Sequence, residues 1–107
     1  MILEIRIPDS IPLDPRTAIE LRAFLQGVVN RRCVGDLRYG DRPKAKQRYM
    51  SRLGRELRAY RRDGNAEQLM NIAVYAFLES AAPENKKLHW DPTADSVTRS
   101  EFGQAIA

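Results

Sequence analysis

Cysteine and histidine are nearly absent: Cys33 and His89 each stand alone in the chain. One cysteine excludes an intramolecular disulfide and any cysteine-cluster zinc site. One histidine excludes the two-histidine helical metal motif. No apolar run approaches the roughly 18 residues that a membrane span needs. The apolar start Met1-Ile2-Leu3 is broken at once by Glu4 and Arg6, so it does not read as a secretory leader. These features predict a cytoplasmic protein with no membrane partner. Walker loops, dinucleotide-binding glycine patterns and nucleophile elbows are all missing. Glycine and proline number six each, too few for a chain that stays unfolded.

What is present fits a folded chain. Of 107 residues, 43% are apolar and 30% charged, which predicts a single domain over 1–107. The formal net charge of +4 is unevenly spread. Residues 1–30 carry −1, residues 31–62 carry +9 and residues 63–107 carry −4. So basic a middle segment attracts polyanions: nucleic acid, nucleotide phosphates or an acidic protein surface. The alternative is a solvated arginine face, neutralised by the acidic last third within the molecule or across a dimer.

The periodicities predict a mainly α fold: a three-helix antiparallel core over 14–82, a short N-terminal β-strand, and an irregular C-terminal tail over 83–107. Residues 2–7 alternate, with Leu3, Ile5 and Ile7 on one side and Glu4 and Arg6 on the other. A lone strand needs a partner. Two remain open: the same strand of a second subunit, or residues 88–98.

Asp14 as N-cap and Pro15 at the first helical position open helix one. It is expected to run to about Cys33 and to stop at Gly35. Ala18, Leu21, Leu25, Val28 and Val29 form its apolar stripe. Helix two is expected over 43–62 from Pro43. Tyr49, Met50, Leu53, Leu57 and Tyr60 fall within an arc of about 100°. Lys44, Arg48, Arg52, Arg55, Arg58 and Arg62 lie opposite. Gly64 suits the left-handed position after that helix. Asn65 with Gln68 predicts a capping box for helix three. Helix three is apolar almost all round, except for a strip of Glu67, Asn71, Tyr75 and Glu79 at four-residue spacing. Such a strip must face something polar: water, a metal, a ligand or the basic helix. Leu88, His89, Trp90, Val97 and Phe102 are expected to anchor the tail, and Cys33 is expected to be buried.

The segment Arg52-Leu53-Gly54-Arg55-Glu56-Leu57, followed by Gly64-Asn65-Ala66-Glu67-Gln68-Leu69-Met70-Asn71-Ile72-Ala73, resembles the MazG-like all-α NTP pyrophosphohydrolases. The resemblance covers roughly residues 20–80. In that family one helix carries ExxE and the next ExxD, and the four carboxylates hold magnesium. Here the ExxE position reads Leu53-Gly54-Arg55-Glu56, retaining its second acid. The ExxD position reads Gln68-Leu69-Met70-Asn71, with amides for both acids. The resemblance implies Mg²⁺ held by Glu56, Glu67 and Asn71, with Glu79 two turns on. Arg48, Arg52 and Arg55 would then grip the phosphates. It also implies a dimer or tetramer, and cleavage of a nucleoside triphosphate to monophosphate and pyrophosphate. Magnesium suits such an oxygen set and can polarise the phosphorus centre.

The competing reading is a non-catalytic, homo-oligomeric basic module that docks an acidic protein or nucleic acid. There the helix-three strip forms an oligomer seam. No recognition-helix signature or interleaved aromatic platform is present, so nucleic-acid binding would tolerate any sequence. Small size and high basic content suit a phage or mobile-element accessory protein.

Overall fold

Asp14 accepts a hydrogen bond from the Thr17 amide through its carboxylate (3.0 Å), which caps the first helix as the sequence predicts. In the computed structural model this helix, α1, spans Pro15–Tyr39; α2 spans Tyr49–Asp63 and α3 spans Ala66–Ala81. The structure describes residues 1–10, 12–39 (for Tyr39 the backbone) and 48–91. It divides into two units, one of Met1–Glu20 with the chain from His89 onward, the other of Leu21–Leu88. No described helix is long and apolar enough to cross a membrane.

In the first unit, residues 1–8 have no regular secondary structure, and no strand is present among the described residues. The strand predicted over 2–7 is therefore not formed within the single chain. Trp90 of this unit and Leu88 of the second, both expected to anchor the tail, are exposed. Val97 and Phe102 lie outside the described residues.

In the second unit α1 does not stop at Gly35 but continues to Tyr39. A helical glycine costs only about 1 kcal/mol relative to alanine. Arg32 and Asp36, four residues apart, form an ion pair that spans Gly35, and Arg38 favours the last turn. Cys33 is exposed, not buried. It lies about 40° beyond Val29, just outside the edge of the apolar stripe.

The start of α2 also departs from expectation. Residues 43–47, with Pro43 and Lys44, lie outside the described residues. Arg48 is left-handed (φ 51°, ψ 54°) and precedes the helix. Its backbone N–H donates to the Glu84 carboxylate. An anionic side chain at a helix N-terminus complements the helix dipole. α2 ends near the expected place. Gly64 is left-handed (φ 69°) and donates its N–H to the Tyr60 carbonyl at 2.7 Å. Glycine takes that conformation without the clash a Cβ would create.

Asn65 caps α3 by accepting from the Glu67 amide at 3.0 Å. The predicted capping box itself does not form: the Asn65 side chain bonds the amide of Glu67 and not that of Gln68. The Gln68 side chain donates to Asp63 instead, at 3.2 Å. α2 and α3 form a hairpin whose buried core is Tyr49, Val74 and Leu78, with Val28 of α1 and Tyr75 packed against it. Tyr49 opens α2 and Leu78 nears the end of α3, so the two helices run antiparallel. Met70 of α3 crosses α1 at Gly27, where a Cβ would lie 2.5 Å from the methionine sulfur.

Candidate functional site

The polar strip of α3 turns inward onto α1 and onto the chain beyond α3. The Arg31 guanidinium donates from Nε to the Asn71 side-chain oxygen at 2.9 Å. Its second arm lies 3.4 Å from the Glu67 carboxylate. Arg31 projects about 60° from Val28, at the border of the apolar stripe. Docking Val28 against the core therefore brings the guanidinium over the strip. Glu79 is buried at 8% exposure. Its two oxygens accept the backbone N–H groups of Glu84 and Asn85, each at 3.2 Å. Asn85 then accepts from the Lys87 amide at 2.9 Å. Glu84, positioned by Glu79, in turn caps Arg48. One buried carboxylate thus organises the chain after α3 and, through it, the start of α2.

Of the residues assigned to metal, Glu67 and Asn71 are brought together, with Arg31 bonded to both. They lie a turn apart on α3, about 6 Å along the axis. Glu56 sits half-buried on α2. Among the described residues no group of three or more histidine, cysteine, aspartate or glutamate side chains is placed to hold a metal ion.

The residues assigned to phosphate have a common placement. Arg48 is exposed just before α2, and Arg52 and Arg55 are exposed on it, as are Arg58, Arg61 and Arg62. From Arg52 to Arg62 the row runs about 15 Å along the axis. Arg52, Arg55, Arg58 and Arg62 share an arc of about 120° opposite Leu53 and Leu57. Arg62 is paired with Asp63 at 2.8 Å and 3.0 Å. Hydrogen bonds from Arg62, and then Gln68, hold the Asp63 carboxyl below the ordinary aspartate range. The same pairing raises Arg62 further. Among the described residues Arg52, Arg55, Arg58 and Arg61 have no carboxylate partner. Arg58 lies back over Gly54, where no side chain obstructs it.

Sequence reasoning missed Arg31 and Glu84. Arg31 had a signal: a basic residue at the edge of an apolar stripe, on a chain whose other buried helix carries acids and amides four residues apart. Glu84 had none, because its partner is a backbone N–H far away in sequence.

Comparison with protein-family models, with curated proteins and with solved structures gave no match.

Proposed function

We propose that this chain is a non-catalytic basic module that binds nucleic acid through the exposed arginine row of α2. The observation that carries this reading is the row itself: Arg52, Arg55 and Arg58 are exposed on one arc of α2 and have no carboxylate partner among the described residues. All five basic residues of α2 are arginines. The planar guanidinium matches phosphate oxygens through paired donors, which an ammonium does not. With no aromatic platform on the row, recognition follows the phosphate backbone and ignores sequence. A homo-oligomer, dimer or tetramer, would multiply the row and lengthen the stretch of backbone it can follow.

The test is fluorescence anisotropy with labelled duplex and single-stranded oligonucleotides. Wild type binds both, and R52A/R55A/R58A loses at least tenfold in affinity. Selective competition by polyglutamate, with no oligonucleotide binding, would move the assignment to an acidic protein partner.

The triphosphate-hydrolysing reading is favoured by one observation, the half-buried Glu56 one turn after the exposed Arg52 on α2. It requires Arg31 to release both Glu67 and Asn71, so that a Mg²⁺ ion can take their oxygens. Calorimetry with Mg²⁺ and a non-hydrolysable nucleotide separates the readings. Magnesium-dependent uptake, lost in Glu56→Ala, would support the enzyme and displace the docking module.

A further inference from the structure

We propose that residues 2–7 form an antiparallel β-ribbon with the same residues of a second copy of this chain, in the register that sets Ile5 opposite Ile5. The inference does not rest on the arginine row of α2.

Among the described residues this segment has no partner strand. Leu3, Ile5 and Ile7 alternate with Glu4 and Arg6, the pattern of a strand with one apolar face. Yet Leu3 is 67% exposed, Ile5 72% and Ile7 48%. A strand-patterned segment outside any sheet is a template for pairing with another chain.

Charge and side-chain pattern together select the partner and the register. In an antiparallel pair, residues directly opposite share a face, about 5 Å apart at Cβ. With Ile5 on the two-fold axis, Leu3 faces Ile7, Ile5 faces itself, and Glu4 faces Arg6 on both sides of the axis. One face is then wholly aliphatic and the other carries two opposite-charge pairs. Moving the register by two residues sets Glu4 against Glu4, or Arg6 against Arg6. Moving it by one opposes apolar to charged side chains. A parallel, in-register pair stacks like charges along the strand. Among two-fold pairings only this one satisfies both faces, and it is self-complementary, as a closed dimer contact must be.

Pro8, which lacks an N–H, ends the ladder. Arg6 is paired with Asp9 in the single chain at 2.9 Å, with both side chains exposed. Such a pair is weak and exchangeable. A two-stranded ribbon alone is marginal. Leu13 and Ile19, exposed in the same unit, offer apolar surface to cover its aliphatic face.

Sedimentation velocity on the full-length chain over a range of concentrations tests this. Wild type dimerises. Glu4→Lys and Arg6→Glu each weaken the dimer by about tenfold, since each turns two attractive cross-strand pairs repulsive. The charge-swapped E4K/R6E variant restores wild-type association. In a Cys33→Ser background, Ile5→Cys oxidises to a covalent dimer, because self-opposed residues lie within disulfide reach. Ile2→Cys in the same background does not. A wild type that stays monomeric overturns the proposal, whether or not the segment pairs within its own chain. So does a double variant no better than the singles, or equal cross-linking at positions 2 and 5.

Discussion

Replacing Arg31 by methionine keeps most of the aliphatic stem and removes the guanidinium. Its Nε–H bond to Asn71 is charge-assisted, at 2.9 Å and partly buried. Bonds of that kind contribute about 1.5–3 kcal/mol. The Arg31 side chain is one-third exposed, at 33%, which argues for the lower half of that range. The contact with Glu67, at 3.4 Å and with the glutamate 55% exposed, adds only a few tenths of a kcal/mol. The expected loss is about 2 kcal/mol, or roughly 8–16 °C in Tm for a domain of this size. Urea unfolding followed by circular dichroism at fixed pH measures it. Asn71→Leu alone costs about 1 kcal/mol, because Arg31 can still turn to Glu67 and to water. The pair R31M/N71L, in which both polar partners are gone, falls short of the sum of the singles by about 1 kcal/mol or more. An Arg31→Met substitution that costs less than about 0.5 kcal/mol, or strictly additive singles, would refute the assignment of Arg31 as the group that satisfies the α3 strip.

Three further outcomes follow from other parts of the molecule. Gly64→Ala forces a Cβ into a left-handed position (φ 69°) and should cost about 1–2 kcal/mol of unfolding free energy, read by urea denaturation. Glu79→Ala removes the acceptor for two backbone N–H groups. Destabilisation of about 1–2 kcal/mol should come with faster amide exchange at Glu84 and Asn85. Asp63, whose carboxyl Arg62 and Gln68 hold below its ordinary value, contributes stability that is present above the unfolded aspartate pKa of about 3.9. That contribution is lost as pH falls through the lower folded value. Asp63→Asn should therefore be less stable than wild type at neutral pH and converge with it in acid, which a pH series of thermal melts reads directly.

Most of the helical architecture was legible because its signals are local. Asp14, Asn65 and Gly64 each act within four residues of themselves, and each does in the structure what its type predicts. The apolar arc of α2 likewise placed Tyr49 in the core and the arginines outside. Boundaries failed where a distant or competing interaction decided them. α1 runs on through Gly35, with the Arg32–Asp36 pair bracketing it. Arg48 is fixed outside α2 by Glu84, which no short window of sequence can reveal. The α3 strip was recognised as needing a polar partner. Its partners, Arg31 for Glu67 and Asn71, and backbone N–H groups for Glu79, depend on how α1 and the chain after α3 fold onto the hairpin.

The central claim is that the arginine row of α2 meets nucleic-acid phosphates, and the salt dependence of duplex binding tests it most directly. Each phosphate neutralised contributes about −0.9 to the slope of log affinity against log salt. Wild type should give a slope of about −3, close to one unit for each of Arg52, Arg55 and Arg58. R52A/R55A/R58A should bind weakly, with a slope reduced by about two to three. Equal affinity and slope in wild type and the triple variant, or no salt-dependent binding at all, would contradict the account.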